Sequence, residues 1–148
     1  MPRVSVHMPV YNAIPYLAAA VESILAQTFQ DFEFIIIDDG STDGSGEQLA
    51  AYAARDERIR LTRRENWGIT KTRNQALGQA VGEFFAVMDA DDVALPERLA
   101  RQVAYFDAHP ECVALGCRVR LIDADGAPIR EMSEMTSHAE IDAEHLAG

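Results

Sequence analysis

The chain contains the stretch Phe84-Phe85-Ala86-Val87-Met88-Asp89-Ala90-Asp91-Asp92, in which five apolar residues run directly into a cluster of three carboxylates. The apolar run is short and has no helical period, which predicts a strand buried on both faces. The acids begin where that strand should end, and ligands of open α/β sheets bind at the carboxyl ends of the strands. The stretch therefore predicts an α/β sheet with an acidic binding site at one edge.

Three neighbouring carboxylates repel one another, which disfavours their ionised forms. A divalent cation would hold them ionised, and Mg²⁺ and Mn²⁺ both favour oxygen ligands. The alternative is a solvated turn with an Asx cap before a helix that starts at Pro96. These residues alone do not decide between a metal site and a turn.

Composition limits the class of protein. The chain has 148 residues, enough for one domain with a sizeable core, and 48% are hydrophobic, as in globular proteins. The formal net charge is −11 and the pI is about 4.6. This charge argues against a nucleic-acid partner, which requires clustered Lys and Arg. A phosphate-bearing ligand stays compatible, because a bound metal supplies positive charge locally.

Cys112 and Cys117 lie in one apolar stretch and do not form a zinc-binding spacing. We predict buried thiols in a reducing cytosol. The chain has no signal-peptide pattern and no apolar run long enough to cross a bilayer. A cytoplasmic location is therefore expected.

Strands and helices alternate along most of the chain. The predicted strands are Val4–Met8, Phe32–Ile37, Ile59–Leu61 and Glu83–Met88, with Pro9 stopping the first. Three predicted helices are Ala13–Gln27, Ile69–Gly78 and Pro96–His109. A fourth is predicted to be capped by Thr42 or Asp43 and to continue through Tyr52. This alternation predicts a mainly parallel central sheet with helices on both faces.

The last third of the chain has a weaker pattern. Cys112–Gly116 and Arg118–Ile122 are predicted strands, and Asp123–Gly126 is a predicted turn whose Asp-Gly pair is typical of hairpins. The residues from Met132 onward are polar, with a helix predicted from Ser137 to Leu146.

Polar residues follow three of the predicted strands, at Tyr11-Asn12, Asp38-Asp39 and Asp89-Ala90-Asp91. The carboxyl ends of parallel strands meet at one edge, so these residues are expected to gather there. The chain has no GxGxxG and no GxxxxGK[ST], and so lacks the usual dinucleotide and P-loop motifs.

Several motifs together resemble the family 2 glycosyltransferases. They are Pro9-Val10-Tyr11-Asn12, Ser23–Thr28, Asp38–Asp43, Asn66-Trp67-Gly68, Arg73-Asn74 and Asp89-Ala90-Asp91-Asp92. The resemblance extends to about Ile122. It implies the GT-A fold, a Rossmann-like nucleotide-sugar-binding architecture, and an inverting transfer from a nucleotide-diphospho-sugar. A single DxD motif is weak, but the order and spacing of all the motifs agree with the family.

The resemblance also implies residue roles. Tyr11 would stack on the base and Asp39 would hydrogen-bond it, while Asp91, with Asp89, would ligate Mn²⁺ or Mg²⁺ on the diphosphate. The full implied nucleotide-sugar-binding set is Pro9, Tyr11, Asn12, Asp39, Gly68, Arg73, Asp89, Ala90 and Asp91. A uridine or thymidine donor is favoured, because its base offers an N–H to a carboxylate and a planar face to an aromatic ring.

Each role has a plainer alternative. Tyr11 could anchor its loop, Asp38 and Asp39 could cap the next helix, and Asp38 is left undecided. The remaining alternatives are a solvated Arg73, a core position for Trp67 and a hydrogen-bonded core position for His7.

The general base of this family is an acid beyond the DxD motif, in the acceptor-binding half. No residue here matches it, so the catalytic residues are unknown and the chain is interpreted as a truncated enzyme. The candidate acids are Asp92, Glu131, Glu134, Glu140, Asp142 and Glu144. We predict a nucleotide-sugar-binding core over residues 1–131 and a polar tail over 132–148, leading toward the acceptor half.

Two other functions remain open. The chain could be a non-catalytic nucleotide-sugar-binding fragment or interaction module. A sugar-phosphate nucleotidyltransferase is less favoured, because the expected Gly-rich basic loop does not follow the first strand. The acceptor, a sugar, glycan or lipid-linked molecule, is unknown. An exposed sheet edge would favour homo-oligomers, and the full-length enzyme could bind peripherally to the inner face of the membrane.

Overall fold

Four parallel strands form the main sheet of the chain. A computed structural model describes residues 1–124 and 126–131. The strands are β1 (Val4–Val10), β2 (Phe32–Asp38), β3 (Ile59–Arg63) and β4 (Phe84–Val87), in the spatial order β3-β2-β1-β4. All three neighbouring pairs are parallel, as the alternating pattern predicts.

Helices cover both faces of this sheet. They are α1 (Ile14–Leu25), α2 (Ser45–Ala53), α3 (Ile69–Gln79) and α4 (Arg98–Ala108). Residues of α1, α2 and α4 pack in the larger core cluster, while α3 packs with Ile35, Ile37 and Phe85 on the opposite face. The predicted α/β architecture with helices on both faces is therefore confirmed.

The central strands β1 and β2 are buried along their whole length. Successive side chains of a strand point to opposite faces, so Phe34 and Ile36 enter the larger core while Ile35 and Ile37 face α3. This explains the continuous apolar sequence of β2, which has a helix layer on each side.

The acidic strand differs from its prediction. β4 spans only Phe84–Val87 and lies at the edge of the described sheet, where its residues are half-buried or exposed, Val87 to 44%. The expectation of burial on both faces was wrong, because β4 is an edge strand and its Phe85, on the α3 face, is only partly buried. The outer Val87 carbonyl accepts a hydrogen bond from Arg98 at 2.7 Å.

Pro9 does not end the first strand, because β1 continues through it to Val10. On the β4 side, the His7 carbonyl accepts the Met88 N–H at 2.9 Å. Alternate residues of a strand present their backbone groups to the same side, so Pro9 also faces the β4 side. Pairing with β4 stops at His7. The missing proline N–H therefore removes no hydrogen bond from the sheet.

His7 lies on the α3 face of β1 and is completely buried. Its ring stacks on Phe85 with centroids 5.7 Å apart. Neither ring nitrogen has a hydrogen-bond partner among the described residues. Its core position was predicted, but the expectation of satisfied nitrogens was wrong. Burial, and then the nearby Arg73 charge, lower the pKa of His7 to about 4.

The chain divides into a compact unit from Met1 to Ala108 and a second unit that begins at His109. In the second unit, β5 (Arg120–Ile122) and β6 (Pro128–Glu131) pair in an antiparallel hairpin. The predicted turn is present: the Gly126 N–H donates to the Asp123 carbonyl at 3.0 Å, and Gly126 has a φ of 82°.

The predicted strand Cys112–Gly116 is absent from the described structure, and β5 starts two residues later than expected. The segment has no partner strand there, and Val113 is 96% exposed. Cys112 is only half-buried and Cys117 is exposed, so the prediction of buried thiols was wrong.

Among the described residues, no helix is long and apolar enough to span a membrane. The predicted boundary after residue 131 stays a prediction, and the tail 132–148, with its expected helix, lies outside the described residues.

Candidate functional site

The carboxyl ends of the parallel strands bring the predicted polar residues to one edge of the sheet. Tyr11 and Asn12 follow β1, and Asp39 follows β2. Asp89 lies two residues beyond the end of β4, after Met88. Val10 is in register with Asp38, which places the ends of β1 and β2 side by side.

A cavity of about 180 Å³ opens at this edge. Its lining comes from the ends of β1 and β2, the loop before α3 and the start of α3: Pro9, Val10, Tyr11, Asp39, Asn66, Gly68, Ile69 and Thr72. Of the predicted set, Pro9, Tyr11, Asp39 and Gly68 line the cavity. The others, Asn12, Arg73, Asp89, Ala90 and Asp91, lie outside its lining.

Asp39 is almost completely buried, and the chain's own donors hold its carboxylate. Oδ1 accepts from Arg64 Nε at 2.9 Å and from the Trp67 N–H at 3.0 Å, while Oδ2 accepts from the Gly68 N–H at 2.8 Å. Burial alone would raise the pKa of Asp39, but these donors outweigh it and hold the pKa below its usual value. A carboxylate has about four acceptor positions, so one remains on Oδ2.

Asp38 binds groups outside the cavity. As the last residue of β2, it points to the opposite face of the sheet from Asp39. Its Oδ1 accepts the Ser41 N–H at 2.9 Å, and its Oδ2 lies 3.3 Å from Arg63 Nε. Asp38 therefore stabilises the turn after β2 and does not line the cavity.

Two exposed aromatic side chains flank the loops of the site. Tyr11 is 55% exposed at the cavity lining, and Trp67 is 56% exposed. The alternative that places Trp67 in the core is therefore wrong. Its ring instead packs on the Arg64 guanidinium, 4.5 Å from the ring centroid.

Asn12 connects the loop after β1 to the loop after β2. It has a φ of 52°, which asparagine tolerates better than most residues. Its N–H donates to Ser41 Oγ at 3.0 Å, and its Oδ1 accepts the Thr42 N–H at 2.8 Å. The side chain thus fixes the spacing between two loops of the site.

Asp43 binds the first turns of two helices. Its Oδ2 accepts the Ile14 N–H of α1 at 3.0 Å, and its Oδ1 accepts the Ser45 N–H of α2 at 2.9 Å. The prediction of Thr42 or Asp43 as the cap of α2 was wrong, because the N-cap is Gly44; Asp43 lies one residue earlier and accepts the Ser45 N–H from there. Both contacts satisfy N–H groups that a helix start leaves unpaired.

The acidic run Asp89–Asp92 follows β4, and its negative charge is only partly neutralised by nearby cations. Asp89 Oδ1 accepts from Arg73 Nη2 at 2.8 Å, so Arg73 neutralises one charge of the run. Ala90 is buried, while Asp91 and Asp92 are exposed. Although Asp92 is exposed, partial loss of solvent around its carboxyl and then the Asp91 and Asp89 charges raise its pKa.

Asp89 and Asp91 carry the oxygen ligands that a hard divalent cation would use at this edge. The described residues contain no group of three or more His, Cys, Asp or Glu arranged to hold a metal. A cation here would thus need further ligands from water or from substrate phosphates, as Mg²⁺ commonly does. Of the candidate acids for general base, Asp92 is described; the side chains from Glu131 to Glu144 lie outside the described part.

Sequence reasoning missed Arg64, which is buried although it directly follows β3. Its guanidinium donates to Asp39, Gln75 and Thr72. Two adjacent arginines at the end of β3, opposite two adjacent aspartates at the end of β2, were a usable signal. β2 and β3 are paired in register up to Asp38 and Arg63, so the next two residues, Asp39 and Arg64, also come close.

Comparison with known proteins places this chain in a family. A profile of "Glycosyl transferase family 2" matches residues 5–143. "Glycosyltransferase GlyG" of Streptococcus pneumoniae is 39% identical over 127 residues, which cover 83% of this chain and 41% of that protein. "Putative glycosyltransferase EpsE" of Bacillus subtilis is 37% identical, covering 84% of this chain and 46% of the relative. The chain thus spans less than half the length of these relatives.

Solved structures show the same fold. TarS residues 1–349 of S. aureus, in complex with UDP-GlcNAc, superpose with a TM-score of 0.68 at 33% identity, over 73% of this chain and 32% of that one. The mannosyltransferase PcManGT from Pyrobaculum calidifontis, with GDP-Man and Mn²⁺, gives 0.66 at 29% identity, over 71% and 32%. With the matched profile and the relatives, these likenesses show that the chain belongs to glycosyl transferase family 2.

Proposed function

We propose that this chain is the donor-binding part of an inverting, metal-dependent glycosyltransferase whose donor is a nucleotide-diphospho-sugar of the uridine or thymidine type. The observation that carries the proposal is Asp39, a buried carboxylate with one acceptor position left on Oδ2, in a cavity beside Tyr11. The UDP-GlcNAc complex of TarS supports a nucleotide-sugar donor. The acceptor, a sugar, glycan or lipid-linked molecule, is left open.

The base preference follows from the chemistry of Asp39. An ionised carboxylate only accepts hydrogen bonds. Uracil and thymine present an N–H at ring position 3, whereas cytosine presents a lone pair there. UDP should therefore bind more tightly than CDP to the cavity. Guanine also presents a ring N–H, so GDP belongs in the same comparison.

The experiment is a calorimetric titration of UDP, CDP and GDP with Mn²⁺ present, followed by a donor-hydrolysis and transfer assay. Preference for UDP over CDP supports the proposed base contact. Equal affinity for UDP and CDP would contradict it. Binding without any hydrolysis or transfer would favour the alternative of a non-catalytic nucleotide-sugar-binding module.

A divalent metal fits the acidic edge. The chain has 24 acidic and 13 basic residues, so it has little spare positive charge for a diphosphate. Asp89 and Asp91 would hold the cation, which would act as a Lewis acid toward the departing diphosphate. The ion pair of Arg73 with Asp89 supports a place for positive charge at this edge. The Mn²⁺ complex of PcManGT supports the same requirement.

Asp91→Asn tests the metal role, because it keeps the size of the side chain and removes the charge. We expect UDP affinity in Mn²⁺ to fall on the order of 10-fold, toward the value measured in excess chelator. The fold should remain intact, since Asp91 is exposed. Asp31→Asn, at another exposed aspartate remote from the edge, is the matched control and should change nothing. Wild-type affinity of Asp91→Asn in Mn²⁺ would make Asp91 a simple turn residue.

Tyr11→Ala tests base stacking. Loss of the tyrosine ring should weaken UDP binding by about 1–3 kcal/mol, the range found when a base loses the aromatic side chain on which it stacks. Binding of inorganic pyrophosphate with Mn²⁺ should be unchanged, because pyrophosphate has no base. Tyr16→Ala removes another half-exposed tyrosine, on α1 and outside the cavity lining, and should affect neither ligand. Equal losses for UDP and pyrophosphate would mean that Tyr11 positions its loop without touching the base.

A further inference from the structure

Arg64 is a largely enclosed cation in direct contact with the residue that we propose reads the base. Its side chain is 9% exposed, and that of Asp39 is 6% exposed. The Arg64 Nε donates to Asp39 Oδ1 at 2.9 Å, while the two terminal nitrogens donate to Gln75 and Thr72 of α3. A planar guanidinium with donors on all three nitrogens can hold one carboxylate and one helix at the same time.

Trp67 completes this arrangement. Its ring stacks on the Arg64 guanidinium at 4.5 Å, and its backbone N–H donates to the same Asp39 Oδ1 at 3.0 Å. The ring and the guanidinium therefore restrain each other, and both are tied to one oxygen atom. Among the residues that the structure describes, Arg64 is the charged partner of the Asp39 carboxylate.

The geometry divides the Asp39 carboxylate into two unequal oxygens. Oδ1 is occupied by Arg64 and Trp67, while Oδ2, among the residues that the structure describes, accepts only the Gly68 N–H at 2.8 Å. The remaining acceptor position is thus on Oδ2. Rotation of the carboxylate, which would mix the two oxygens, would break the contacts on Oδ1.

We propose that Arg64 is a positioning residue for base selectivity, which holds Asp39 as a pure acceptor with its one open position on Oδ2. This inference rests on the proposed function, because it assumes that a base enters the cavity. A base with a ring N–H at that position is accepted. A base with a lone pair there, such as cytosine, is rejected because two acceptors face each other.

Loss of Arg64 should therefore change selectivity more than affinity. Without the guanidinium, the Asp39 carboxylate is less strongly held and takes up a proton more easily. A protonated Asp39 can donate to the cytosine ring nitrogen. UDP binding would weaken while CDP binding would improve.

The test compares Arg64→Gln and Arg64→Lys with Arg63→Gln, using UDP and CDP in Mn²⁺ as the ligands. Arg63 is the matched control, because it lies on the same strand end and pairs with Asp38 and Glu47, outside the cavity. We expect the UDP-to-CDP affinity ratio to fall about 10-fold or more in Arg64→Gln. Arg64→Lys keeps the charge and loses the planar fork, so it should give an intermediate ratio. Arg63→Gln should leave the ratio unchanged.

A second readout needs no nucleotide. In the ligand-free protein, carbon-13 NMR titration of the Asp39 carboxyl should show a higher pKa in Arg64→Gln than in wild type or Arg63→Gln. If the ratio and the titration both stay at wild-type values, or Arg63→Gln changes them equally, the inference is wrong. If UDP fails to bind wild type while the titration still responds to Arg64, the proposed function fails and the hold of Arg64 on Asp39 stands.

Discussion

Replacing Asp39 by asparagine is expected to cause the largest loss of nucleotide binding of any single substitution in the cavity. The asparagine side chain would have only one acceptor oxygen and would present an amide N–H₂ to Arg64 or to the base. Loss of a hydrogen bond to a charged group costs about 1.5–3 kcal/mol, which corresponds to roughly 10- to 150-fold in UDP affinity. Calorimetry with UDP measures this loss directly.

The same substitution should also destabilise the fold. It leaves the buried Arg64 without its carboxylate partner, and breaking a buried ion pair costs about 3–5 kcal/mol. Asp38→Asn is the control, because Asp38 is equally buried and pairs with Arg63 outside the cavity. It should lower the free energy of unfolding in urea while UDP affinity is retained. A folded Asp39→Asn protein with wild-type UDP affinity would exclude Asp39 as the residue that reads the base.

His7 is expected to make the stability of the protein depend on pH. Its pKa in the folded protein is about 4, below the ordinary value of 6.5. The unfolded chain therefore takes up this proton first as pH falls. The stability is fully present above about pH 6.5 and is lost progressively as pH falls from there to 4. The difference between the two pKa values corresponds to about 3 kcal/mol.

Urea unfolding between pH 7.5 and pH 4.5 measures this loss. His7→Leu should flatten the profile in this range, because leucine cannot be protonated and suits the apolar surroundings of Ile35, Ile37 and Phe85. His109→Gln is the control, at a histidine that lies outside this core, and should keep the wild-type slope between pH 6.5 and pH 4.5. An unchanged slope in His7→Leu would show that carboxylates alone carry the acid sensitivity.

Much of the sheet could be predicted from local sequence because its two central strands have a helix layer on each face. Phe32–Ile37 is continuously apolar, and so it indicated a doubly buried strand correctly. The same argument failed for β4, because an apolar run does not indicate whether helices or strands cover one face of the strand or both. It failed again at Cys112–Gly116, where apolar residues have no partner strand in the described structure.

The site could be predicted only in outline. Parallel strands bring their ends together, so the grouping of Tyr11, Asp39 and Asp89 at one edge followed from topology. Which of Asp38 and Asp39 lines the cavity depends on the two-residue period of β2. This period places Asp38 on the same face as Phe34 and Ile36, away from the cavity. Arg64 belongs to no motif, and the arginine pair opposite the aspartate pair could only indicate its contact with Asp39. Its contacts with α3 and Trp67 form only in the folded chain.

Asp43 has a consequence for the cooperativity of folding. One carboxylate pairs with the first turn of α1 and the first turn of α2, so opening either helix start weakens the other. We therefore expect the amides of Ile14 and Ser45 to exchange with deuterium through a shared opening, with similar protection factors. The two successive crossover units would then behave as one foldon, in which the loops that shape the cavity gain or lose order together.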